Sequence, residues 1–240
     1  MTVAPLPLLL VTGFAPEARI AEGRGVVVVN AGGSPARLRA LLEGEPTPAY
    51  QAVISFGIAG GLAPDLSPRT VIAGAAVVSG DRRWPTHPGV TRFWASRLID
   101  SGERLVVADI AGAETQISSI ADKEALRTQT GAAAVDMESH VAAAFAAAHE
   151  LPFGALRVVC DPADRALPPL ATEALRPDGG IDVSAVLRSL VRQPGQIAAL
   201  PGLARDAAKA LAALRRVRAA LGPGFGLGAL GFAEPLGDVL

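Results

Sequence analysis

Apolar residues in this chain come in short runs separated by stretches of helical spacing. Runs at 6–12, 26–30, 51–56, 71–78, 104–109, 132–135 and 154–160 read as strands. Several are continuous rather than alternating, Val26-Val27-Val28-Val29 above all. A strand apolar at every position is one covered on both faces. Residues 34–43, 90–100, 121–129, 137–149, 183–192 and 203–221 carry helical spacing. Strands alternating with helices predict one α/β domain, a mixed and mainly parallel central sheet flanked by helices.

Glycine punctuates the strand ends: Gly13 after the first run, Gly32-Gly33 after the second, Gly57-x-x-Gly60-Gly61 after the third. In open α/β sheets the ligand crevice lies beyond the carboxyl ends of the strands. These turns are therefore candidate ligand loops. Residues 162–180 read as a long loop rich in proline and ending in Gly179-Gly180. Residues 196–221 form an amphipathic pattern with a basic bias from Arg205, Lys209, Arg215, Arg216 and Arg218. The domain is expected to span 1–221, helices 183–221 included. The Gly-rich apolar tail 222–240 is expected to be poorly ordered or draped on a partner.

Composition narrows the function classes. Half of the 240 residues are apolar and the net charge is −1, unlike the basic footprint of a nucleic-acid binder. The single cysteine, Cys160, has no internal disulfide partner and sits in an apolar run, which suits a reducing cytoplasm and an unreactive thiol. The apolar start of the chain lacks a positive leader and is broken by Pro5 and Pro7, so it reads as a buried first strand. The three histidines and one cysteine are too few and scattered for a metal cluster. No G-x-G-x-x-G follows the first strand, which argues against a dinucleotide-binding dehydrogenase.

Two stretches carry candidate chemistry. In Val135-Asp136-Met137-Glu138-Ser139 a short strand runs into two carboxylates at the start of an Ala-rich helix. Asp136 there could simply cap the helix, and Glu138 favour its dipole. In Arg157-Val158-Val159-Cys160-Asp161 a buried strand ends on an acid before Pro162. The two strands are consecutive and joined by one helix; such strands often neighbour each other, which would turn Glu138 and Asp161 into the same crevice.

These segments, with Gly57-Ile58-Ala59-Gly60-Gly61-Leu62, resemble three ordered motifs of the nucleoside phosphorylase and nucleosidase superfamily, over roughly residues 6–165. Within it the chain is most similar to the hopanoid-associated phosphorylases, which act on adenosylhopane. That likeness rests on Asp178-Gly179-Gly180, Val186-Leu187-Arg188-Ser189-Leu190, Gln193-Pro194-Gly195-Gln196 and Leu203-Ala204-Arg205-Asp206-Ala207-Ala208.

The resemblance implies a three-layer sandwich and cleavage of the N-glycosidic bond of an adenine nucleoside. Glu138 and Asp161 would be catalytic. Met137 and Glu138 would hold the ribose, and Asp161, kept protonated by burial, would donate to purine N7. Ala59, Gly60, Gln116, Ile117 and Asp136 would meet the purine. Gly13, Arg19, Gly32, Gly33 and Gly57 would form the phosphate or nucleophile site. Water-using nucleosidases of the superfamily carry a carboxylate base in the first loop. The matching place here is Ala18, with Glu17 one residue early, which favours phosphorolysis; Ile58, in place of the usual hydroxyl residue, weakens phosphate binding. Phosphorolysis of adenosylhopane is the leading expectation. Hydrolysis of methylthioadenosine or S-adenosylhomocysteine and a non-catalytic purine nucleoside-binding module are the alternatives. No cofactor is implied beyond inorganic phosphate as co-substrate. The expected partners are a small purine nucleoside, lipid-linked in the hopanoid reading, and further copies of the chain. The expected location is the cytoplasm, with peripheral membrane contact through helix 203–221 weighed against a helix packed on the core.

Overall fold

The computed structural model describes residues 6–46, 50–99, 102–168 and 200–229. Along the chain run β1 (Leu8–Thr12), α1 (Ala15–Ala21), β2 (Val26–Asn30), α2 (Pro35–Glu43), β3 (Ala52–Gly61), β4 (Val71–Ser79), β5 (Arg82–Pro85), α3 (Pro88–Leu98), β6 (Leu105–Gly112), α4 (Ile120–Thr130), β7 (Ala134–Asp136), α5 (Ser139–Ala148), β8 (Phe153–Asp161) and α6 (Leu200–Leu221). A 3-10 stretch, Pro223–Ala229, follows. The expected helix 183–192, most of the loop 162–180, residues 230–240 and three of the four C-terminal segments quoted for the hopanoid likeness lie outside the described residues.

Strands β1, β3 and β8 are buried on both faces, whereas β2, which holds the run Val26–Val29, is a half-buried edge strand; side-chain alternation divides the apolar residues between two cores. In β1, Leu9 and Val11 join Leu38 and Leu42 of α2 and Ala142 and Ala146 of α5 on one side. Leu8 and Leu10 join Trp94 of α3 and Leu214, Val217 and Leu221 of α6 on the other. The result is a single α/β domain with a mixed, mainly parallel sheet between helices, as the alternation of elements predicts.

The eight strands follow the order β2-β1-β3-β7-β6-β4-β5, with β8 pairing both β3 and β4. Strands β3, β7, β6, β4 and β8 therefore close into a ring. Strands β7 and β8 are not neighbours, contrary to expectation; β7 pairs with the far end of β3, and β8 runs along β3 from Val53 to Gly60. Gly60 is in register with Val135 on one side and Asp161 on the other. One strand tip thus gathers both acidic segments.

Three further expectations change. Gly57-x-x-Gly60-Gly61 is not a turn but the second half of β3, since pairing with β8 and β7 carries the strand on. Helix α1 and strand β5 were not legible: α1 has only seven residues with a proline in its first turn, and the four residues of β5 are largely exposed. The start of the C-terminal tail packs on its own chain. Phe225 and Leu227 are buried, with the Phe225 ring edge-on to Phe56 at 5.0 Å and its carbonyl accepting from the Trp94 indole at 3.2 Å. No described helix is long and apolar enough to cross a membrane. Helix α6 lays its apolar stripe on the core, so this face is not free for a membrane.

Candidate active site

Strand β7 is short because Asp136 ends it. Its Oδ1 accepts from the backbone N–H groups of Glu138 (3.0 Å) and Ser139 (2.8 Å), satisfying orphan donors at the start of α5. Its Oδ2 takes the Arg157 Nε at 2.7 Å. Asp136 borders the pocket, but its carboxylate is committed to the scaffold, not free to read a purine. This cap turns Met137 and Glu138 toward the tip of β3.

There they line a cavity of about 220 Å³ with Ala59 and Gly60 of β3, Thr115, Gln116 and Ile117 of the β6–α4 loop, and Cys160 and Asp161 of β8. Phe14, Leu167 and, from α6, Leu203 and Ala207 add an apolar wall. Glu138 and Asp161 thus share one cavity.

Beneath it lies a buried charge cluster. Arg157, fully buried, spans Asp136 and Glu138, with Nη2 3.6 Å from Glu138 Oε2, and donates to the hydroxyls of Ser55 (2.5 Å) and Ser139 (3.2 Å). Glu17, also fully buried, belongs to the same cluster. Its Oε2 accepts from the N–H groups of Gly13 and Phe14 and its Oε1 from that of Ile58, each at 2.8 Å. Three carboxylates thus face one guanidinium. Burial pushes Glu17 and Glu138 above the usual carboxylate range, against the opposing pull of Arg157. The cluster is built to retain a proton.

Two glycines are required by this crowding. A Cβ on Gly13 would lie 2.7 Å from Glu138 Oε1, and one on Gly57 2.5 Å from Arg157 Nη1 and 2.7 Å from Glu17 Oε1. Both glycines therefore touch the acidic cluster rather than present open N–H groups to a ligand.

Asp161 is held by a residue that the sequence did not advertise. Lys123, 1% exposed, places Nζ 2.5 Å from Asp161 Oδ2 and donates to the carbonyls of Pro162 and Arg165, each at 2.9 Å. Burial pushes Asp161 up and Lys123 opposes it; burial prevails, in the direction expected for a proton donor. The adjacent Cys160 thiol is raised to about 12 by burial, which favours its protonated form.

Other sequence candidates fall elsewhere. Gly32 and Gly33 do not line the cavity; they turn the chain after the edge strand β2 with φ of 67° and 73°. Arg19 is exposed on α1 and lines a different cleft, because two helical steps set it about 200° from Glu17. His87 precedes α3, and His140 faces Glu114 and Arg39; neither lines the cavity. Among the described residues no group of histidines, cysteines and carboxylates could hold a metal ion.

Sequence reasoning passed over Lys123 and the role of Arg157, and it noted Glu17 only as lying one residue from the expected base. Glu17 had a signal: a glutamate three residues after a helix-entry position can fold back on the first-turn N–H groups. Lys123 had none, since a lysine in a polar helix reads as solvated.

Solved structures share this fold at low identity. Futalosine hydrolase of Helicobacter pylori aligns with a TM-score of 0.59 at 16% identity, covering 66% of this chain and 89% of that one. Campylobacter jejuni 5′-methylthioadenosine/S-adenosylhomocysteine nucleosidase gives 0.61 at 14%, covering 77% and 95%. The Colwellia psychrerythraea nucleosidase of the same kind, in complex with adenine, gives 0.63 at 14%, covering 92% and 98%. No curated protein matches the chain. The phosphorylase superfamily profile matches residues 20–193, more than half of the sequence, and the chain belongs to that superfamily.

Proposed function

We propose that this protein cleaves the N-glycosidic bond of an adenine nucleoside with an apolar 5′ substituent, adenosylhopane being the candidate substrate and water the nucleophile. One observation carries the reading: Glu138, linked to Arg157, and Asp161, linked to Lys123, open on the same cavity. Bond cleavage builds positive charge on the ribose and negative charge on the base, and the site has a group for each. The ribose would rest on Met137 with its hydroxyls donating to Glu138. The purine would lie by Gln116 and Ile117, and Asp161 would give its proton to N7 as the C–N bond breaks. Attack of water on the sugar carbon would release one proton to the Glu17–Glu138 pair, leaving adenine and a free sugar. Leu203, Ala207 and Phe14 would receive the 5′ substituent.

Glu17 is why water is preferred to phosphate. Its carboxylate already takes the N–H groups of Gly13, Phe14 and Ile58 that would cradle an oxyanion. A phosphate dianion would have to displace it and approach Glu138 as well. This reverses the expectation drawn from the position of Glu17 in the sequence.

The test is adenine release from adenosylhopane and from methylthioadenosine, each with and without phosphate. Release is expected without phosphate and faster from adenosylhopane. Glu138→Gln and Asp161→Asn are each expected to slow it by about 10²–10⁴-fold. Strict dependence on phosphate with a sugar 1-phosphate product would restore phosphorolysis. Nucleoside binding with turnover untouched by either variant would leave a binding module.

A further inference from the structure

On the outer side of α1, away from the cavity of Glu138 and Asp161, lies a second and larger cleft of about 540 Å³. Four arginines line it: Arg19 and Arg24 from α1 and the turn after it, Arg215 and Arg218 from α6. No acidic side chain is among the described residues that line it. We propose that this cleft binds a phosphate-bearing anion, at a site independent of the nucleoside reading.

Three observations support it. First, the charges have no ion-pair partner among the described residues. Arg19, Arg24, Arg215 and Arg218 take part in no ion pair among the described residues, whereas Arg39, Arg83, Arg104 and Arg216 each have a carboxylate within reach. In a chain of net charge −1, four guanidiniums around one hollow, with no ion-pair partner among the described residues, repel one another and favour an anion between them. Guanidinium is also the side chain whose planar donors match phosphate oxygens in pairs.

Second, Arg218 is fixed in advance. Its Nη1 donates to the Gly222 carbonyl at 2.5 Å and its Nη2 to the Glu22 carbonyl at 3.3 Å, and its guanidinium lies 4.7 Å over the Phe225 ring. These contacts orient the charge without neutralising it, and its buried Nε has no partner. Third, the backbone makes room for it: a Cβ on Gly23 would fall 2.6 Å from Arg218 Nη2. A partly buried cation that is oriented and unpaired is a costly arrangement unless an anion completes it. Pro16, Ile20 and Pro223 supply apolar walls for the body that carries the phosphate.

The same chemistry is found in a free phosphate compound and in an anionic lipid headgroup, and the experiment separates them. The full chain is titrated calorimetrically with pyrophosphate, and sedimented with vesicles of phosphatidylglycerol or of phosphatidylcholine. Both are repeated with Arg24→Ala/Arg215→Ala, two exposed positions away from the nucleoside cavity, and with Arg205→Ala/Lys209→Ala, which removes equal charge outside the cleft. Pyrophosphate binding that falls about tenfold or more only in the first variant assigns a soluble phosphate ligand. Retention on phosphatidylglycerol alone, lost only in the first variant, assigns a lipid headgroup. Adenine release is unchanged in both variants. The proposal is overturned if neither probe binds, if binding survives Arg24→Ala/Arg215→Ala, or if the two variants weaken it equally.

Discussion

A single guanidinium, that of Arg157, faces the carboxylates of Asp136, Glu138 and Glu17, all of them buried. Such a set is stable only if part of its negative charge is removed by protons. This has a consequence for stability. The ordinary carboxyl value is 4.5, and that of Glu138 in the fold is pushed up to about 8 by burial. Its contribution is therefore fully present below about pH 4.5 and is lost as pH rises through 8. Glu138→Gln removes this loss, so the variant should gain on the native chain in urea denaturation at pH 9 relative to pH 5. Lys123 governs the other carboxyl. Lys123→Met leaves Asp161 without its opposing charge, and the alkaline limb of adenine release should move up by about one pH unit or more. An unmoved limb would mean that Asp161 is not the proton donor. Gly13→Ala, which drives a methyl onto Glu138, should depress turnover with little change in fold, and circular dichroism beside kinetics would separate the two.

At the scale of elements, α1 and α6 carry most of what the site needs beyond the sheet. Helix α1 sets Glu17 inward and Arg19 outward. Helix α6 buries Leu214, Val217 and Leu221 on one core and brings Leu203 and Ala207 to the mouth of the cavity. The 3-10 stretch that follows locks α6 to α3 through Phe225 and Trp94. Phe225 is fully buried against Phe56, so Phe225→Ala should cost about 3–5 kcal/mol, read as a lowered urea midpoint with tryptophan emission reporting the loosened Trp94. A loose tail would show no such loss.

At the scale of the molecule, function depends on β3 reaching past its neighbours so that β7 and β8 both pair with its tip. If water is the nucleophile as proposed, adenine release should stay constant as phosphate is raised from none to millimolar concentrations. The sequence by itself determined the α/β class, most strand and helix positions, and two acids that the fold brings to one cavity, because periodicity and strand-end chemistry are local properties. It could not separate the two uses of an aspartate after a strand: Asp136 caps a helix and binds Arg157, whereas Asp161 faces the cavity. Nor could it show that Glu17 and Lys123 are buried, that β7 and β8 are not neighbours, or that Arg19 turns away toward three other arginines. Those outcomes were decided by tertiary structure alone, because whether a charged side chain ends in water or in the interior depends on chain segments far from it in sequence.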